Sequence, residues 1–458
     1  MTEIVIAAAV DEAAAAAVVV VAEAAAVARA AAANATDGAR LQHERGRREP
    51  TIEKTVLDSG IRVVTERMPG SKSVAIGFWV GVGSRDEDSS VAGASHFLEH
   101  LLFKGTAERS ARSIAMAVDA VGGEINAYTS REHTTYYARL PATKLRFGLE
   151  LLTDVLTQPA FRPDEIDAER EVILEEILMN DDTPDDVVHA MLYEALFPDH
   201  PLGRETLGSP ETISSMRRDQ ISSFFERWYR PANLIVAAAG DLDHNAVADY
   251  VAHRFADNEL GEPPRRHAPD REPERLRVVT RPTEQAHVAM GWRALAHGHP
   301  DRYALWVANH VFGGGLSSRL FQEVREERGL VYTIGSSPAA YSDTGSVVLY
   351  AGTMPSRIGE LFDVIESIIS ALREHGITET EHEVATGFLE GSLLLGLEDS
   401  GSRMMRLGSS ETALGEVTSI EEHIERIRAV TVEDVTRVLG EVFDSPRSVA
   451  VVGPFDAS

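Results

Sequence analysis

The sequence predicts an α+β protein of two homologous domains, each a mainly antiparallel sheet with helices packed on it. Three observations lead there. At 458 residues the chain is too long for one ordinary core and suits two domains of roughly 200 residues each. Short strand-like runs rich in β-branched residues are interspersed with apolar runs of helical period. The second half repeats the first at an offset of 213 or 214 residues.

Residues 1–50 read as a low-complexity extension rich in Ala and Val. Its apolar part, residues 13–33, is broken by Glu23 and Arg29 and is too weakly apolar to span a bilayer. Asp11 and Glu12 precede it, where a signal peptide would carry basic residues. The N-terminal domain, residues 51–260, opens with a hairpin turning at Asp58-Ser59-Gly60, followed by a buried strand over 74–82. A helix from Ala94 to Phe103 follows, then a second from Ser110 to Val121 ended by Gly122-Gly123. Strands over 124–129 and 134–140 come next, joined by Ser130-Arg131-Glu132-His133. Further helices span 142–156 and 164–180, with another around 221–228 and a closing strand over 234–239. The Pro- and charge-rich stretch 258–273 marks the boundary, and residues 271–458 form the second domain.

The repeat shows in separated places. Ala138-Arg139-Leu140-Pro141 matches Gly352-Thr353-Met354-Pro355, and 234–240 matches 448–453. The His96 segment falls opposite His310-Val311-Phe312-Gly313-Gly314, where the glutamate and second histidine are glycines. Only the first domain therefore keeps metal-binding residues.

Composition narrows the chemistry. There is no cysteine, so disulfides and thiolate metal sites are excluded and any metal must be held by His and carboxylate. A net charge of −28 argues against nucleic acid and anionic membrane surfaces as partners. A cytoplasmic location is the default expectation.

The chemistry concentrates at His96-Phe97-Leu98-Glu99-His100. On a helix the two histidines stand one turn apart with Glu99 beside them, while Phe97, Leu98, Leu101 and Leu102 are left for the core. Two such imidazoles can hold zinc, or another metal of similar preference, and the carboxylate can take a proton from water. A buried His pair satisfied by backbone carbonyls would show the same string, so a third ligand has to decide. Glu169 and Glu176, seven apart on one helix, point the same way.

The run Gly93-Ala94-Ser95-His96-Phe97-Leu98-Glu99-His100-Leu101-Leu102-Phe103-Lys104-Gly105-Thr106 resembles the active-site helix of the pitrilysin family of zinc metallopeptidases. The likeness is nearest to the branch of the mitochondrial processing peptidase β subunit and its bacterial single-chain relatives, and covers residues from about 52 to 453. The resemblance implies one Zn2+ per chain, with Glu176 as third ligand, Glu169 as the outer glutamate supporting the site, and Glu99 as catalytic base. Glu175, one position off, is the competitor for the ligand role. The family likeness makes Gly123-Glu124-Ile125-Asn126-Ala127-Tyr128-Thr129 an edge strand that pairs with a peptide substrate, with Asn126 and Ala127 as contacts. It also implies that Arg325 and Tyr332 steady the substrate and developing oxyanion, reaching the site from the partner of a clamshell homodimer. The implied function is a zinc-dependent endopeptidase acting on extended or unfolded peptides in a closed chamber. Alternatives are a non-catalytic structural subunit of a larger complex and a presequence-processing subunit. His133, His189, His200 and His310 lack ligand spacing and read as structural or exposed; Trp79, Trp228, Trp292 and Trp306 read as core.

Overall fold

The computed structural model describes residues 51–455; the low-complexity extension lies outside them. Strands β1 (Thr51–Val56), β2 (Arg62–Arg67), β3 (Ser73–Val80), β4 (Glu124–Thr129), β5 (Thr134–Pro141) and β6 (Leu234–Gly240) form a six-stranded sheet in the order β1-β2-β6-β3-β5-β4. Strands β7 (Leu276–Thr280), β8 (Ala286–Ala294), β9 (Val331–Ala340), β10 (Gly345–Thr353) and β11 (Arg447–Gly453) form a five-stranded sheet ordered β7-β11-β8-β10-β9. Dropping β1 makes the two orders identical position by position. Each sheet has one parallel pair, β2 with β6 and β7 with β11, and is otherwise antiparallel. The repeat in the sequence is thus a repeat of topology, and among the described residues it leaves β4 and β9 as equivalent free edges.

Both faces of each sheet are covered, which is why β3 and β6 are buried almost without a break instead of alternating. One face of the first sheet packs on helices of its own half, including Ala94–Leu102 and Leu145–Thr157. Its other face is covered by the helix Ser400–Leu414 from the far end of the chain, whose Met404 and Leu407 pack on Trp79, Ile235 and Ala237. Gly408 permits this close approach, because a Cβ there would stand 2.3 Å from the Trp79 ring. The exchange is reciprocal. Helix Pro184–Leu196 of the first half lays Val188, Leu192, Tyr193 and Leu196 on β8 and β11.

The tryptophans divide. Trp79, Trp228 and Trp292 are buried, but Trp306 is 37% exposed and packs edge-on against Tyr303, so its reading as core is corrected. The helix Arg302–Asn309 is amphipathic, and residue 306 falls at its solvent margin, beside Tyr303 and off the face of buried Val307 and Ala308. Among the described residues, no helix is long and apolar enough to cross a membrane.

Candidate metal centre

The helix Ala94–Leu102 is entered through Gly93 at φ +94°, a conformation L side chains rarely adopt; a Cβ there would also stand 2.6 Å from the Leu207 carbonyl oxygen. Behind that turn Glu87, buried, accepts the backbone N–H of Gly93 and of Ser95, each at 2.7 Å. A carboxylate at a helix N-terminus satisfies two donors that the helix cannot. Burial nonetheless pushes the Glu87 carboxyl up to about 7, against the pull of those backbone donors. A carboxyl held above its unfolded value of about 4.3 binds a proton on folding. Its stabilising share is therefore complete below that unfolded value and is lost as pH rises through 7. Glu87→Gln, which cannot ionise and keeps only one acceptor oxygen, should lower the melting temperature at pH 5 and flatten its decline between pH 5 and 8. Thermal melts of the metal-free protein across that range would check this; an unchanged slope would remove Glu87 as the source.

The second element is the helix Pro163–Asp182, started by Pro163 at its first turn with Asp164 and Glu165 beside it. It packs on Ala94–Leu102 through Ile166, Ile173 and Ile177. Glu169 and Glu176 flank Ile173 on that buried side, and Glu175 points out to solvent.

The two helices bring together His96, His100 and Glu176. Glu176 Oε2 lies 3.7 Å from His96 Nε2 and 3.6 Å from His100 Nε2, too far for hydrogen bonds and close for groups that repel as electron-pair donors. Ligands held at about 2.0–2.1 Å around a tetrahedral ion stand roughly 3.4 Å apart, so the spacing fits zinc. The protonation state of His96 fits too. Burial, and secondarily the neighbouring His100, lowers the His96 imidazole to about 3 and so keeps it neutral. Burial pulls His100 down, but the surrounding carboxylates Glu169, Glu176 and Glu99 outweigh it and raise its pKa.

Glu169 is tied to His100 by its Nδ1–H, 3.1 Å from Glu169 Oε2, which turns the other ring nitrogen toward Glu176. Its second oxygen takes the Lys104 ammonium at 2.6 Å. Burial raises the Glu169 carboxyl, yet His100 and Lys104 more than reverse this and hold it below the ordinary range. Glu169→Gln should weaken zinc binding by roughly 10–100-fold, with turnover recovering as zinc is raised. Competition with a chromophoric chelator measures this directly.

Glu99 stands beside the trio without joining it. Burial raises its pKa, opposed by Thr129, whose hydroxyl donates to Glu99 Oε2 at 2.6 Å. Thr129 closes β4, the free edge of the first sheet, and β4 packs against the metal helix. On the same strand Asn126 is exposed and its Oδ1 accepts the Ala127 N–H at 2.9 Å. That amide therefore faces the open edge and not β5.

Arg325 and Tyr332 lie together, the guanidinium 5.2 Å from the Tyr332 ring, with Tyr332 77% exposed. Among the described residues, neither makes a hydrogen bond or ion pair with the metal trio of its own chain. In the second half the counterpart of the metal helix ends in a wide turn at His310–Gly314. His310 is buried, stacks on Phe388 at 4.2 Å, and is lowered to about 4 by burial.

Comparison with known proteins follows the same division. Residues 62–210 match "Insulinase (Peptidase family M16)" and residues 215–386 match "Peptidase M16 inactive domain". An uncharacterized zinc protease of Mycobacterium tuberculosis is 46% identical over 407 residues, covering 88% of this chain and 93% of that protein.

The chain belongs to peptidase family M16.

The uncharacterized zinc protease YmxG of Bacillus subtilis is 37% identical over 404 residues, covering 88% and 98% of the two chains. A crystal structure of a protease from Helicobacter pylori superposes with a TM-score of 0.82 at 23% identity, covering 88% of this chain and 100% of that one. The M16 assignment makes the chain a member of a zinc-protease family, and its two-sheet fold is the family's.

The sequence missed Thr129, Lys104 and Glu87 as parts of the site. Lys104 and Thr129 lie within the runs that carry the resemblance, yet neither has a spacing rule that names its partner.

Proposed function

We propose that the protein is a zinc-dependent endopeptidase that cleaves extended or unfolded peptides in a closed chamber formed by two copies of the chain, with one zinc in each. The supporting observation is the convergence of His96 Nε2, His100 Nε2 and Glu176 Oε2 beside a carboxylate, Glu99, that Thr129 holds apart from them. Zinc held by these three residues would supply Lewis acidity, lowering the pKa of water toward roughly 7 and polarising the peptide carbonyl. Glu99 takes the proton of the attacking water on Oε1, the oxygen Thr129 does not hold. It then delivers that proton to the leaving amine nitrogen. The exposed edge of β4 binds the substrate strand through the main-chain groups of Ala127 and the side-chain amide of Asn126, which swings off the Ala127 N–H to admit it. Main-chain pairing requires no free terminus, which supports cleavage within a chain. Arg325, half-buried, and Tyr332, exposed, lie against each other and serve the site of the partner copy, where a cationic fork and a phenol steady the oxyanion.

A quenched fluorescent peptide without structure tests this. Cleavage should stop with chelator and return with zinc, while the same sequence inside a folded domain stays intact. Mixing inactive Glu99→Gln chains with Tyr332→Phe chains should restore part of the activity. No restoration would remove the cross-subunit role, and cleavage indifferent to chelator would sink the zinc reading.

A further inference from the structure

We propose that the metal-free second half positions Glu99 through a clasp on the β4–β5 turn, with Ser342 and Asp343 as positioning residues acting by way of Glu132 and Thr129. This rests on Glu99 being the proton carrier, as read above.

The turn is short and internally braced. Thr129 pairs with Thr134, the Ser130 N–H donates to the His133 carbonyl at 2.8 Å, and Ser130 Oγ accepts the His133 N–H at 3.1 Å. A displacement of Glu132 at its tip is therefore transmitted to Thr129 and its hydroxyl.

Glu132 is only 8% exposed, and what holds it comes largely from elsewhere in the chain. The Ser342 hydroxyl donates to Glu132 Oε1 at 2.7 Å, and the Ser342 N–H donates to Oε2 at 2.9 Å. Arg85, 5% exposed, binds Glu132 at 2.6 Å with one guanidinium nitrogen. Its other terminal nitrogen binds Asp343 at 2.6 Å and the His267 carbonyl at 2.7 Å. Arg266, from the stretch between the halves, grips Asp86 at 2.6 Å and the Glu132 carbonyl at 2.7 Å. First half, connecting stretch and second half thus meet on one buried carboxylate. A buried charge is tolerable only when its partners are complete, so loss of the Ser342 hydroxyl takes one donor from Glu132, and loss of the Asp343 charge loosens Arg85, another of its partners; together they let the turn tip shift.

Ser342 is exposed and Asp343 partly so, which makes them accessible to change without opening a core. In the full-length, zinc-loaded protein, Ser342→Ala with Asp343→Asn should lower kcat about tenfold at unchanged KM and unchanged zinc affinity. Thr129→Val should lower kcat at least as much. The deciding measurement combines them: if the clasp acts through Thr129, adding the double change to Thr129→Val costs nothing more. Multiplying losses, an intact kcat in the clasp variant, or a loss confined to KM would each overturn the proposal. Amide exchange in metal-free protein gives a second readout, with protection at Ser130 and His133 expected to fall in the clasp variant; unchanged protection would also overturn it. If Glu99→Gln itself keeps turnover, the proton-carrier assignment falls and the clasp proposal with it, an outcome distinct from failure of the clasp alone.

Discussion

Glu99→Gln should bind zinc as tightly as the parent chain and lose roughly 10²–10⁴-fold in kcat, the range that a positioned acid–base group contributes. The amide preserves shape and still accepts from Thr129, so folding and the ligand trio should be untouched. What disappears is the capacity to carry a proton from water to the leaving nitrogen. Metal analysis alongside peptide turnover separates the two functions. A zinc-loaded Glu99→Gln protein that still turns over peptide would transfer the base role elsewhere.

The second large effect concerns the residue the chain must fold back to supply. Glu176→Ala removes one of the three candidate ligands, leaving two imidazoles on one helix. Zinc should be lost on dialysis and turnover should fall to background, whereas Glu175→Ala, one residue away and facing solvent, should change neither. Equal sensitivity of the two positions would mean that the helix as a whole, and not one carboxylate, matters. Zinc retained in Glu176→Ala would place the third ligand at another residue.

How much of this was legible in the sequence depends on how local each signal is. The hairpin at Gly60, the β4 and β5 strands and the metal helix follow rules of period and turn chemistry that act within a dozen residues. Repetition at a fixed offset then exposed the second sheet. The meeting of His96 and His100 is written in one turn of helix. That of Glu176 is not, and only the family resemblance pointed to it. The exchanged helices were illegible for a different reason: an apolar stripe says that a face is buried, not which of two similar sheets buries it. Trp306 misled because an aromatic in an apolar run can still fall at the margin of an amphipathic helix. Thr129 lies 30 residues from Glu99. A hydroxyl that selects its partner across a sheet leaves no pattern to read.

The reciprocal loan of helices bears on how the molecule comes apart. Met404 and Leu407 shelter Trp79, while Leu192 and Leu196 shelter β8 and β11 of the second sheet. Neither half owns a full set of walls, so a fragment cut at the connecting stretch would present a naked apolar sheet to water and to its neighbours. Denaturation should accordingly be a single concerted event, and proteolytic nicking between the halves should leave them associated. Ribosomal synthesis meets the same constraint, since the first sheet stays without its outer cover until the helix Ser400–Leu414 has emerged.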